Sequence, residues 1–237
     1  ASGADAANAS RRDLAPSTGA IACTDVAPQE CYQPRLLASF ATEVTSLVGT
    51  QDRLFFVEGD TRVRVIEGDT LEAMPALTMD GSRIAGLAIP PDFERSHLVF
   101  VAWSEPSSNA GEVLHISRYR ELQGVLGEGA VIVTGLPLAP GERAALAIDR
   151  DAFVYVALPA SGASTGGASN GAILRFNPDG TVPDVNPYQS PIIAHGYDHP
   201  ASLVWDNETR SLWLSGSDSR WSSPVSTLQI EPDARRQ

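Results

Sequence analysis

Lysine is absent from this chain of 237 residues, so all 17 of its basic side chains are arginine. That absence removes Schiff-base chemistry on a lysine, the phosphate-gripping lysine of a P-loop and a lysine general base. Cysteine occurs only at Cys23 and Cys31. Two cysteines so close together suit a local disulfide in an oxidising compartment, and two unrelated free thiols are the other reading. No apolar run approaches the roughly 20 residues that a membrane-spanning helix needs. Basic charge is scarce beside 29 acidic residues, and the net charge of -12 repels phosphate backbones and anionic lipid headgroups. Nucleic acid and direct membrane insertion are therefore set aside as partners. The serine-rich stretches at Ser107-Ser108 and from Ser161 to Ser169 offer hydroxyls, yet no histidine is placed by the sequence to pair with one, so they are not read as a serine hydrolase. The chain opens Ala1-Ser2-Gly3-Ala4 without methionine. That start fits the removal of an export signal and, with the cysteine pair, points to a periplasmic or otherwise extracytoplasmic location.

What is present is a repeat. Gly86-Leu87-Ala88-Ile89 followed by Leu98-Val99-Phe100-Val101, Leu146-Ala147-Ile148-Asp149 followed by Val154-Tyr155-Val156, and Leu203-Val204-Trp205-Asp206 followed by Leu212-Trp213-Leu214 share one pattern. Ser46-Leu47-Val48 with Leu54-Phe55-Phe56-Val57 is a weaker copy. Short strands recurring every 40 to 60 residues or so are the mark of radially arranged blades, none of which buries its faces alone. The fold expected is an all-β propeller of four blades over residues 34–237, preceded by an extended arm over residues 1–33. Unit four runs out of sequence before a fourth strand, so the strand Leu36–Phe40 is expected to pair beside residues 226–230 and close the ring. A fifth blade within residues 104–143 and an incomplete six-bladed ring are the alternatives.

The phrase from Gly171 to Pro187, Gly-Ala-Ile-Leu-Arg-Phe-Asn-Pro-Asp-Gly-Thr-Val-Pro-Asp-Val-Asn-Pro, resembles the signature of the soluble glucose/sorbosone dehydrogenases that depend on pyrroloquinoline quinone (PQQ). Leu54 to Asp69 and Gly86 to Phe93 resemble that family's first blades, and the likeness runs over residues 36–216. The resemblance implies a six-bladed propeller, a quinone and calcium, and a His that takes a sugar proton as hydride leaves. The stretch corresponding to that His is Gly141-Glu142-Arg143-Ala144-Ala145-Leu146-Ala147-Ile148, with Gly141 in the place of the imidazole. The cofactor-holding Gly-His-Arg-Asn-Pro-Gln-Gly run corresponds to Gly196-Tyr197-Asp198-His199-Pro200-Ala201-Ser202, where Asp198 replaces Arg and Ala201 replaces Gln. A carboxylate in place of a guanidinium repels an anionic tricarboxylate, so neither PQQ nor calcium is expected to bind.

The other candidates are weaker. His195, Asp198 and His199 fall within five residues and have the donor types of a mononuclear metal site. His97 and His115 lie in strand patterns and read as structural. Asp179, Asp184 and Asp206 sit in turn sequences, where carboxylates bond nearby amides, with a calcium loop as the sharper reading. Trp103, Trp205, Trp213 and Trp221 read as blade packing, with Trp221 a possible contact for a sugar or a protein. The function expected is that of a propeller without catalysis, an interaction or accessory subunit of a larger extracytoplasmic complex. A divergent quinone-dependent aldose dehydrogenase, its base supplied by His195 or His199, and a sugar-binding propeller are the alternatives.

Overall fold

A computed structural model describes residues 36–39, 42–107, 111–160, 171–217 and 225–229. The chain divides after Ser39, and every sheet lies in the unit that begins at Phe40. The first sheet contains β1 (Val44–Gly49), β2 (Arg53–Glu58), β3 (Arg62–Glu67) and β4 (Thr70–Leu71), with β5 (Leu77–Thr78) also paired to β3. The second contains β6 (Arg83–Ala88), β7 (Leu98–Pro106), β8 (Glu112–Leu122) and β9 (Val125–Leu138). The third contains β10 (Ala145–Ile148), β11 (Val154–Ala157), β12 (Ala172–Phe176) and β13 (Ile192–His195). The fourth contains β14 (His199–Asp206), β15 (Ser211–Ser217) and β16 (Val225–Gln229). The helix α1 (Phe93–Ser96) is one turn long, and no helix of the described residues is long and apolar enough to cross a membrane.

All strand pairings are antiparallel and join strands that follow one another, apart from the additional β3–β5 pair. Tight turns set that meander. Between β8 and β9 the register pairs Leu122 with Val125, and Gln123 and Gly124 both take positive φ, the geometry that matches strand twist in a two-residue hairpin.

Alternation then gives each sheet two faces, and three shared cores join the sheets in sequence. Phe55, Val57, Val63 and Val65 of the first sheet pack with Leu87, Val99 and Val101 of the second. Phe100, Ala102, Leu114 and Ile116 on the second sheet's other face pack with Leu146, Val154, Val156 and Leu174 of the third. Ala147, Tyr155 and Ile173 of the third meet Leu203, Leu212 and Leu214 of the fourth. Polar ties cross the first of these junctions: the Arg53 guanidinium donates to the buried Glu121 carboxylate at 2.7 Å, and Arg143 reaches Asp60 at 2.9 Å from beyond the second sheet.

At the second junction the turn of residues 177–181 seats against β9. Gly180 has φ +86 there, and a Cβ on it would fall onto the Ile132 carbonyl oxygen. Only glycine meets both demands.

Two expectations are corrected. Leu36–Ser39 form no strand, and among the described residues β16 is paired only with β15. Leu36 is 64% exposed, where a closing strand would bury its apolar side chains. Among the described residues no core cluster joins the fourth sheet to the first. The described sheets are four in number, and Phe40, the last residue of the expected closing strand, lies outside the described residues. The span 104–143 holds no further sheet among its described residues. These extend β7, β8 and β9 of the second sheet, and the register shifts between β8 and β9 absorb the added length.

Candidate functional site

The first strand of each sheet, β1, β6, β10 and β14, lines one cavity of about 830 Å³. Much of its wall is small and apolar: Ala85, Ala88, Ala144, Ala145 and Ala147 beside Leu87, Leu146 and Leu203. Small side chains arise here because the inner strands crowd, and at Gly86 a Cβ would strike the Ala144 carbonyl oxygen. Polar groups enter near the starts of the inner strands through Thr45, Ser46, Arg143 and Ser202, and near their ends through Thr50, Gln51, Asp52, Glu94 and Asn207. Aromatic groups enter the lining from Phe93 and from Trp205. The Trp205 ring stacks on Tyr155 at 5.8 Å between centroids, and its Nε1–H donates to the Asn207 side-chain oxygen.

The electrostatics of this lining are simple. Among the described residues Arg143 is its one guanidinium, and Asp60 neutralises it. Two carboxylates, Asp52 and Glu94, face the cavity, and no histidine of the described residues does. Gly141 has φ +78, with its amide donating to Glu112. An imidazole-bearing residue would adopt that backbone only under strain. Burial opposes the ionisation of Glu112, yet hydrogen bonds from Arg83, Ser104 and that amide hold the carboxyl below its ordinary range.

The histidines all lie elsewhere. His195 ends β13 and His199 begins β14, both exposed and on different sheets. Among the described residues no group of three His, Cys, Asp or Glu could hold a metal ion, so His195, Asp198 and His199 are not brought together as ligands. His115 is buried and stacks on Trp103 at 4.3 Å, its Nδ1 sharing a hydrogen bond with Thr134. His97 is not in a strand; it ends α1 in the left-handed conformation. Asp179 and Asp206 serve their own turns. Asp179 accepts from Thr181, and Asp206 from Glu208 and Thr209, bonds that lower both carboxyl pKa values. Cys23, Cys31 and Trp221 lie outside the described residues.

One polar cluster went unread in the sequence. The buried Asp149 carboxylate accepts from the Asp151 and Phe153 amides and from the Tyr155 hydroxyl at 2.9 Å. Burial raises the pKa of both side chains. Nearby, Arg175 donates to Asn186 and lies over the Phe153 ring. Asp149 stands in the repeat where Asp206 stands, so its turn role was legible, whereas the partnership with Tyr155 depends on sheet register.

A model of the glucose/sorbosone dehydrogenases matches residues 43–219 of the chain. Among solved structures, a glucose dehydrogenase is 20% identical with a TM-score of 0.63, the match covering 75% of this chain and 58% of that one. The soluble aldose sugar dehydrogenase of Escherichia coli, in its apo-form, is 16% identical with a TM-score of 0.63, over 76% of this chain and 58% of its own. An oxidoreductase of Thermus thermophilus, described as a glucose dehydrogenase, is 23% identical with a TM-score of 0.58, over 74% of this chain and 57% of its own. No protein of curated function matches. At these identities the likeness carries the fold, a β-propeller, and the chain spans less than two thirds of the length of each of these structures.

Proposed function

The chain belongs to the glucose/sorbosone dehydrogenase family, and from that premise we propose that it is a propeller without the quinone chemistry the resemblance implies, acting as an extracytoplasmic binding or accessory subunit. One observation carries the reading. Among the described residues the axial cavity has no imidazole in its lining, and its single guanidinium is already paired with Asp60. A tricarboxylate quinone does not fit such a lining. It would bring several negative charges to a wall that offers Asp52 and Glu94, with no free cation to offset the loss of water. Proton abstraction from a sugar hydroxyl needs a base within hydrogen-bond reach of the substrate. His195 and His199, the substitutes considered for that role, do not line the cavity.

A cavity whose described lining has no imidazole and no free cation can still bind. Trp205 and the Asn207 bonded to it, with Gln51 and Thr50 also in the lining, offer an aromatic ring and neutral hydrogen-bonding groups. These suit a neutral polyol, and that favours a sugar-binding second reading. An assay of dye-linked aldose oxidation with added PQQ and calcium tests the first reading: no turnover is expected, and aldose-dependent dye reduction would overturn it. Melting curves with a panel of neutral sugars test the second, through a rise in Tm that grows with sugar concentration and is lost in Trp205→Ala.

A further inference from the structure

The Asp149–Tyr155 pair links the cavity wall to the interior of the third sheet. Trp205, in the lining, stacks on Tyr155 with 5.8 Å between ring centroids and 8° between ring planes. Tyr155 is fully buried, and its hydroxyl donates to Asp149 Oδ2 at 2.9 Å. Packing alone does not call for that hydroxyl. Opposite the inner strand, Phe55 and Phe100 hold the place in the first and second sheets that Tyr155 holds in the third. Nor does the turn call for the second carboxylate oxygen. Asp149 Oδ1 alone accepts from the Asp151 and Phe153 amides. In the fourth sheet the matching Asp206 keeps its Oδ2 for Thr209 of its own turn, whereas Asp149 turns Oδ2 to the phenol.

We propose that Tyr155 and Asp149 form a one-electron relay that restores Trp205 after a small oxidising radical has attacked it from the cavity. The radical takes one electron from Trp205 and leaves an indole radical cation. Tyr155 then passes one electron across the stack to the indole, and its hydroxyl proton moves to Asp149 Oδ2. The O–H bond of Tyr155 breaks, an O–H bond forms on Asp149, and Trp205 is neutral again. A positive indole and a negative carboxylate are thereby exchanged for a neutral tyrosyl radical and a neutral carboxylic acid, the favoured direction where burial penalises charge. Burial already raises the pKa of the Asp149 carboxyl, so it takes a proton more readily than an exposed aspartate does. Burial also holds the Tyr155 phenol above its ordinary range, and Arg175 opposes that rise, which eases the proton's departure. The guanidinium cannot itself accept the proton, so it goes to the carboxylate. The relay does not depend on whether the cavity binds a sugar.

Pulse radiolysis of the full chain in azide solution tests it. The azidyl radical oxidises indole by one electron and is neutral, so Asp52 and Glu94 in the lining do not repel it. In wild type, part of the indole-radical absorption is expected to decay in a first-order phase, at a rate independent of protein concentration, while tyrosyl absorption rises. Tyr155→Phe keeps the ring and should abolish that phase, as should Trp205→Phe. Asp149→Asn removes the proton acceptor and should slow the phase by at least about tenfold. Should that variant melt early, the wild-type phase gives the same reading by slowing as pH falls and Asp149 takes up its proton. Tyr188→Phe, at a residue 99% exposed, should leave the phase intact. A phase that survives in Tyr155→Phe or Trp205→Phe, one that neither Asp149→Asn nor acid slows, one that is lost in Tyr188→Phe, or indole radicals that decay only by meeting one another would each overturn the proposal.

Discussion

Gly180→Ala against Gly135→Ala separates backbone conformation from close approach at the junction of the second and third sheets. Both glycines sit at nearly the same angle, φ +86 and φ +83, so the left-handed penalty of about 1–2 kcal/mol is common to both. A Cβ at Gly135 meets nothing within 4 Å, while one at Gly180 lands on the Ile132 carbonyl oxygen. The turn would have to lift from β9, straining the reach of Arg118 to the Pro178 carbonyl and adding about 1–3 kcal/mol of overpacking. Gly180→Ala should therefore cost about 2–5 kcal/mol in total. For a chain of this size each kcal/mol lowers Tm by about 2–4 °C. Urea unfolding of both variants beside wild type, with the slope checked for constancy, measures the two costs. Equal losses in the two alanine variants would refute the claim that the turn is seated on β9.

Three further outcomes are expected. Tyr155→Phe removes the hydroxyl that donates to the buried Asp149 carboxylate, and should cost about 1–2 kcal/mol in urea unfolding at pH 7; an unchanged midpoint would deny the bond. Glu112 has a lowered pKa in the folded chain, so its contribution is present above the unfolded value of about 4.3 and is lost as pH falls through the folded one. Unfolding curves of wild type and Glu112→Gln should accordingly differ most near pH 6–7 and converge below about pH 4, and a constant gap would contradict that linkage. Glu121→Ala leaves Arg53 with only the exposed Glu67 and empties a buried site between the first two sheets. A loss of about 2–4 kcal/mol is expected, and a loss under about 0.5 would show that the tie contributes nothing.

The blades were legible because each strand is short, apolar on alternate residues and bounded by turn sequence. Leu146-Ala147-Ile148 lie on β10, with Asp149 just past its end, and Leu203-Val204-Trp205-Asp206 lie on β14, as the repeat demanded. Leu36–Phe40 misled for the same reason: an apolar run has the composition of a strand, and nothing in five residues records whether a partner edge stands beside it. Residues 104–143 left a fifth blade open because the extra length of β8 and β9 resides in bulges, which carry no letter pattern of their own. The reading of Gly141 in the place of His and of Asp198 in the place of Arg rests on the resemblance alone, and neither residue lines the cavity. That Arg143 enters the cavity already bound to Asp60 could not be read from the sequence, since 83 positions separate the two in the chain. The equivalence of Phe55, Phe100 and Tyr155 likewise needed the register before the added hydroxyl could single out the third.

The proposal turns on whether the axial cavity holds the quinone, and equilibrium binding of PQQ to the purified chain, with and without calcium, measures this directly. Quenching of tryptophan emission reports it, because Trp205 is part of the cavity wall. The account requires binding weaker than about 1 mM, the same in Arg143→Ala as in wild type. Saturable micromolar binding that depends on calcium and is lost in Arg143→Ala would contradict it.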